Sequence, residues 1–255
     1  MRNLKPKKHL GQHFLADEKV ARRIVDALPV LENASVVEIG PGMGVLTKYL
    51  RDRFPDLRVV EFDPDAVAYL REAFAEPPLS VVEADFLRWD LATELSEPTH
   101  FIGNLPYNVT SPILFHLLNH RDRVEHCVFM VQKEVADRIC SDIEVSSKEK
   151  GILTILIDCY FEAKRLFKVS PGVFRPPPKV MSAVFSLRKR PGVAVPFAPL
   201  RTVVRAAFQQ RRKTLRNALK QLDLDRDAFP AEWLDLRAEA LTTAQFVQIA
   251  AALRP

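Results

Sequence analysis

The sequence predicts an α/β fold, a doubly wound parallel sheet with a small helical domain after it, and three observations carry that prediction. Short apolar, β-branched runs alternate with longer segments of helical periodicity, the pattern of repeated βαβ units. The first of these runs ends directly in a glycine-rich turn, Gly40-Pro41-Gly42-Met43-Gly44. Near residue 190 the alternation stops, and the remaining residues read as basic and helical.

In chain order, strands are predicted at 36–39, 58–62, 81–84, 101–103 and 127–131. Helices are predicted at 17–28, 45–54, 66–74 and 112–120, where apolar residues recur every three or four positions. A sheet wound this way takes ligands at the carboxyl ends of its strands. A last strand is expected at 180–187, and Arg190-Pro191-Gly192, Pro196 and Pro199 then mark a linker. Beyond it Val204, Phe208, Leu215, Leu219 and Leu222 keep helical spacing while basic residues take the other faces. The predicted domains are therefore 1–190 and 191–255, the second small, helical and basic.

The 255 residues, 47% hydrophobic and 27% charged, can bury a sizeable core, which excludes a disordered or fibrous chain. No apolar run reaches the roughly 20 residues of a spanning helix, and the first fifteen residues lack the apolar stretch of a signal peptide. A cytoplasmic monomer with no membrane partner is expected. Cys127, Cys140 and Cys159 are odd in number and widely spaced, unlike a disulfide framework or a zinc site. His116 and His120 have the spacing of helical metal ligands, but Leu117 stands where a metalloprotease has glutamate, so no metal is expected.

Charge is informative once located. Arg2, Lys5, Lys7 and Lys8 precede any acidic residue, and Arg201, Arg205, Arg211, Arg212, Lys213, Arg216 and Lys220 form a second acid-free block. Without these eleven of its 37 basic residues the chain has more acidic than basic groups, 32 being acidic. Such clusters suit a phosphate backbone, although a solvated basic face has the same composition.

The glycine turn sits where a backbone must bend tightly and a ligand must approach closely. A dinucleotide fingerprint needs its third glycine three positions after the second, and Val45 stands there, so a nicotinamide cofactor is disfavoured. Gly-x-Gly-x-Gly preceded by Glu38 resembles the S-adenosylmethionine loop of Rossmann-like methyltransferases, a loop that other nucleotide-binding folds approximate. Glu61 ends the second strand, where a carboxylate can accept both ribose hydroxyls, and Asp85 ends the third, suited to a cofactor adenine amine.

The fourth strand ends in Gly103-Asn104-Leu105-Pro106-Tyr107-Asn108, which resembles the Asn-Pro-Pro-Tyr type motif of methyltransferases that modify exocyclic amines, with Leu105 in its second position. The lone pair of an adenine amine is delocalised into the ring, so a catalyst must favour tetrahedral geometry at nitrogen. The Asn104 side-chain oxygen and a backbone carbonyl before Pro106 can accept the two amine hydrogens, while Tyr107 stacks on the extruded base. No general base is needed beforehand, because the methylated nitrogen is acidic. In Ser170-Pro171-Gly172-Val173-Phe174-Arg175-Pro176-Pro177-Pro178-Lys179 the prolines could hold Phe174 against the base, with Arg175 and Lys179 on phosphates; packing is the equal alternative for Phe174.

These motifs together resemble the bacterial small-subunit (16S) ribosomal RNA adenine dimethyltransferases, relatives of the erythromycin-resistance 23S rRNA methyltransferases, over almost the whole chain. The matching segments are Gly11-Gln12-His13-Phe14-Leu15, the loop from Glu38 to Gly44, Glu61-Phe62-Asp63, Asn104 to Asn108, Gln132-Lys133-Glu134-Val135, Phe174 to Val180, and Gln210-Arg211-Arg212-Lys213-Thr214-Leu215-Arg216-Asn217. The resemblance implies that His13 and Leu15 close the methionine end of S-adenosylmethionine, that Gly40, Gly42, Glu61, Asp85 and Asn104 contact it, and that Phe174 stacks on the target. It also implies that Arg211, Arg212 and Lys213 bind RNA, and that two adjacent adenines near the 3′ end of 16S rRNA, in an assembling 30S subunit, are each methylated twice. Three departures stand out: His13 replaces the usual asparagine, Lys150-Gly151-Ile152 replaces Tyr-Gly-Arg, and Met181 replaces a common aspartate. The competing readings are a 23S rRNA methyltransferase of the macrolide-resistance type and a non-catalytic assembly factor that retains the fold.

Overall fold

A computed structural model describes residues 13–29 and 34–254, so Arg2, Lys5, Lys7, Lys8, Gly11 and Gln12 lie outside the described residues. The strands are β1 (Phe14–Leu15), β2 (Val36–Ile39), β3 (Arg58–Glu61), β4 (Ser80–Glu83), β5 (Thr99–Asn104), β6 (Val124–Gln132), β7 (Phe161–Val169), β8 (Phe174–Arg175) and β9 (Ser182–Lys189). The helices are α1 (Glu18–Asp26), α2 (Thr47–Arg53), α3 (Pro64–Ala73), α4 (Leu91–Glu94), α5 (Thr110–Asn119), α6 (Lys133–Ile139), α7 (Ile152–Tyr160), α8 (Phe197–Gln209), α9 (Leu215–Ala218) and α10 (Thr243–Ala251). All five predicted parallel strands and all four predicted helices of the first part form, with ends shifted by a few residues. Strand β9 starts at Ser182, two residues later than expected, and leaves Val180 and Met181 exposed.

The main sheet has the order β4-β3-β2-β5-β6-β9-β7. Strands β4, β3, β2, β5 and β6 pair in parallel and β6 pairs with β9 antiparallel. Helices cover both faces, because side chains alternate along each strand. Ile102 packs into one core with Ile24, Val25, Leu50 and Leu70, whereas its neighbour Phe101 meets Phe86 on the other face. Local signals set the helix starts: Asp17 accepts from Lys19 N at 2.8 Å, and Asp63 accepts from Asp65 N at 3.1 Å ahead of Pro64.

The chain divides into two compact units, one running to Ala136 and taking back Lys164–Lys189, the other made of Asp137–Ala163 and the residues from Arg190 onward. Segment 137–163, which the sequence pattern places in the larger domain, thus belongs with the C-terminal residues. The physical reason is α7: it is buried at Leu153, Ile155, Leu156, Ile157, Cys159 and Tyr160, on every side, and such a helix needs neighbours all around it. It finds them in α8 and α10. The helical spacing from Val204 to Leu222 is also interrupted. Helix α8 ends at Gln209 and α9 begins at Leu215, yet Phe208, Leu215 and Leu219 all remain buried.

Candidate active site

In the order β4-β3-β2-β5-β6 the chain leaves β2 toward β3 on one side and returns to β5 on the other. The loops therefore diverge at the carboxyl ends of β2 and β5, the place where doubly wound sheets bind ligands. A cavity of about 270 Å³ opens there, near the lower end of small-molecule sites. His13, Leu15, Gly40, Gly42, Glu61, Asp85, Asn104, Leu105, Pro106 and Tyr107 all line it. Every residue that the sequence assigned to cofactor or catalysis is thus on one wall or another of a single cavity.

The glycines of the β2 turn have distinct duties. Gly40, Gly42 and Gly44 have φ of +63°, +57° and +72°, a region that L side chains avoid. A Cβ on Gly44 would lie 2.6 Å from the Phe74 ring, so that position is also closed by packing. A Cβ on Gly40 would meet nothing within 4 Å: open cavity stands before its backbone, as close approach of a ligand requires.

Glu61 is held by backbone donors. Its Oε1 accepts from Phe62 N and Asp63 N, both at 2.9 Å, and its Oε2 accepts from Gly42 N at 3.1 Å. Burial nevertheless outweighs these bonds and raises its pKa. Each carboxylate oxygen can accept more than one bond, so capacity remains for ribose hydroxyls. Asp85 keeps an accessible carboxylate, its Oδ1 accepting from Leu87 N at 3.0 Å. The open face of Gly40, the remaining acceptor capacity of Glu61 and the accessible Asp85 carboxylate fit a nucleoside ligand.

Glu38 lies beneath the turn, 1% exposed, and accepts from the Thr47 hydroxyl at 2.6 Å. Burial pushes its pKa up to about 8, with the nearby Glu61 adding to the rise. Between the ordinary value of 4.5 and about 8 the unfolded carboxyl ionises while the folded one keeps its proton. Stability from this group is therefore complete at low pH and declines as pH rises through that window. Glu38→Gln, which keeps the acceptor for Thr47, should flatten that decline; thermal melts of both proteins from pH 5 to pH 8 check it, and parallel curves would contradict it.

At the end of β5, Asn104 Nδ2 donates to the His13 carbonyl at 3.0 Å. A carbonyl can be partnered only by the amide nitrogen, so the sense of the amide is set and Oδ1 remains the acceptor end. The His13 ring bonds through Nδ1 to the Pro176 carbonyl at 2.9 Å and lies 5.6 Å from the Tyr107 ring, tilted by 30°. Tyr107 in turn bonds its hydroxyl to Ser182 Oγ at 2.7 Å, and burial raises its pKa. Neither Ser182 nor Thr47 was legible as a site residue: a lone serine or threonine carries no signal without its partner.

One assignment changes, and a second gains a structural role. Phe174 pairs with Leu15 in the β1–β8 ribbon and is 0% exposed, part of the core with Val169 and Val184. In a strand its side chain points opposite to exposed Arg175, so packing and not base stacking is its role in this conformation. Arg211 directs Nη2 to the Lys148 and Lys150 carbonyls at 2.7 and 2.8 Å, so this exposed arginine also ties down the preceding loop, with Nε and Nη1 outside those two bonds. Lys150, itself 0% exposed, bonds the carbonyls of Ile143 and Leu241. Arg212 and Lys213 stay exposed. His116 Nε2 bonds to the Trp89 carbonyl at 2.9 Å and His120 Nδ1 to the His116 carbonyl at 2.9 Å, and no group of three metal-ligating side chains occurs among the described residues. No helix among them is long and apolar enough to cross a membrane.

A family model described as Ribosomal RNA adenine dimethylase matches residues 3–253. The ribosomal RNA small subunit methyltransferase A of Flavobacterium johnsoniae is 43% identical over 251 residues, 97% of this chain and 95% of the relative. Its namesake from Aromatoleum aromaticum is 44% identical over 248 residues, 95% and 92% of the two chains. Among solved structures, a dimethyladenosine transferase from Plasmodium falciparum matches with a TM-score of 0.79 at 22% identity, covering 93% of this chain and 96% of that one, and shares the fold. The 23S rRNA methyltransferase ErmE matches with a TM-score of 0.73 at 28% identity, covering 94% and 99%. The expected Rossmann-like methyltransferase fold is borne out, and the chain belongs to the ribosomal RNA adenine dimethylase family.

Proposed function

We propose that the protein transfers methyl groups from S-adenosylmethionine to the exocyclic amine of adenine in ribosomal RNA, twice on each of two adjacent adenosines near the 3′ end of 16S rRNA in the assembling 30S subunit. The observation that carries this reading is the Asn104 amide, anchored by its nitrogen to the His13 carbonyl with its oxygen end left to accept at the cavity wall.

S-adenosylmethionine, when bound, supplies an electrophilic methyl group on a cationic sulfur. Glu61 accepts the ribose hydroxyls, Asp85 the adenine amine, Gly40 admits the ligand close to the backbone with Gly42 contacting it from the same turn, and His13 and Leu15 close the methionine end. On the substrate side, Asn104 Oδ1 takes one amine hydrogen. The Pro106 carbonyl already accepts from Val109 N and Thr110 Oγ1, at 3.2 and 3.0 Å, so the second hydrogen goes to the carbonyl of Leu105, the residue before the proline. With both hydrogens held, the nitrogen lone pair points out of the ring plane and toward the methyl group. Tyr107 stacks on the base, and the proton of the methylated nitrogen leaves afterwards. Catalysis is orientation and desolvation, with no resident metal.

Exposed Arg212 and Lys213 bind phosphate, and the enzyme works as a cytoplasmic monomer. Reversing the charge of both residues should flatten the salt dependence of particle binding, by roughly 0.7–0.9 in log–log slope for each phosphate that is no longer neutralised. Filter binding between low and moderate salt measures it, and an unaltered slope would remove these two residues from the RNA interface.

The test of the function is transfer from methyl-labelled S-adenosylmethionine to 30S particles that lack the modification. Label in dimethyladenosine of 16S rRNA is expected; label in 23S rRNA instead would overturn the small-subunit assignment. The 23S reading is the weaker one because the small-subunit relatives are 43–44% identical and the 23S enzyme 28%.

A further inference from the structure

Resting on the methyl-transfer reading above, we propose that Ser182 is a positioning residue for the target base and acts through the Tyr107 hydroxyl. Ser182 opens β9 and is 0% exposed, with its backbone in register with Gln132 of β6. Tyr107 follows β5, on the other side of β6 from β9. The 2.7 Å bond between their hydroxyls therefore spans the end of β6 and ties the catalytic turn to a strand that otherwise takes no part in the site.

The geometry divides the task of holding the ring. A phenol oxygen lies on the axis through Cβ, Cγ and Cζ, so anchoring it to Ser182 sets the direction of that axis. Rotation about the axis is left open by the bond and is limited instead by the His13 ring, 5.6 Å away and tilted by 30°. The His13 ring occupies one side of Tyr107, and the base is received on the other. Ser182 is fully buried and Tyr107 half-buried, and their hydroxyls satisfy each other, so removing the tyrosine hydroxyl leaves a buried serine hydroxyl without its partner and removing the serine hydroxyl frees the ring from its anchor. The effect falls on orientation of the reacting amine, where small displacements are costly.

The test is a double-mutant cycle with labelled S-adenosylmethionine and unmodified 30S particles, using Ser182→Ala, Tyr107→Phe and the pair. Each single change should lower kcat about tenfold, with KM for S-adenosylmethionine within about twofold of wild type, and the pair should be no worse than the poorer single. Ser182→Cys, which keeps a weak donor, should fall between serine and alanine when Tyr107 is present, and the order should vanish in the Tyr107→Phe background. That second comparison decides the matter if Ser182→Ala does not fold. Losses that multiply to about a hundredfold in the pair, or a Ser182→Ala enzyme with wild-type kcat, would overturn the assignment while wild-type transfer leaves the parent reading standing. A wild-type protein that transfers no methyl group to adenine would overturn both.

Discussion

Asn104→Ala is expected to lower the rate of methyl transfer by at least about a hundredfold, the scale on which removing one preorganised hydrogen-bonding group from a reacting centre is felt. The substitution removes the acceptor of one amine hydrogen and also the bond to the His13 carbonyl, so the amine returns to the planar, delocalised form that attacks poorly. Asn104 is half-buried at a strand end, not in the core, and its loss should leave the melting temperature within a few degrees of wild type. Asn104→Asp is a sharper probe. It keeps an acceptor for the amine but turns a carboxylate oxygen toward the His13 carbonyl oxygen, and the repulsion should displace the side chain, so activity is not rescued. Single-turnover kinetics with saturating cofactor measure both variants; full turnover by Asn104→Ala would remove Asn104 from the mechanism, and would equally favour a catalytic group elsewhere over the assembly-factor reading.

Gly103→Ala should have the largest effect on stability. A Cβ there would lie 2.6 Å from the Ile39 carbonyl oxygen and 3.3 Å from Leu105 Cδ2. The first of these is backbone of the neighbouring strand, which cannot turn aside as a flexible side chain can. Strands β2 and β5 would have to separate at the point where the cofactor loop and the catalytic turn both begin. A cost of about 2–3 kcal/mol, and a melting temperature lower by about 5–10 °C, is expected. Gly172→Ala is the control, since a Cβ there meets nothing within 4 Å, and it should be neutral. Calorimetry of the two variants checks the pair; equal melting temperatures would mean that the strands can part without penalty.

The chemistry of the site was largely legible in the sequence because it is local in the chain. Short apolar, β-branched runs reported strands, and the residues at or just past the end of each run are the ones that line the cavity: the glycine turn after β2, Glu61 at the end of β3, Asp85 after β4, Asn104 at the end of β5. What was not legible depends on which way a side chain points and on what distant segment meets it. Phe174 sits among prolines that suggested an exposed aromatic, but pairing with Leu15 decided which side of a two-residue strand it occupies. Arg211 shows its charge in the sequence, but only the fold brings the Lys148 and Lys150 carbonyls to its Nη2.

From local pattern alone follow the fold class, the glycine loop, and the strand-end acids and Asn104 turn that line the cavity, since each rests on periodicity, backbone conformation or spacing within a few residues. The tertiary structure alone decided that 137–163 joins the C-terminal helices, that the Asn104 amide has a set sense, and that Ser182 reaches Tyr107. The last two are hydrogen bonds between residues at least 75 apart, which leave no mark on local sequence pattern, and the first depends on which distant helices surround a segment whose apolar character alone does not name them.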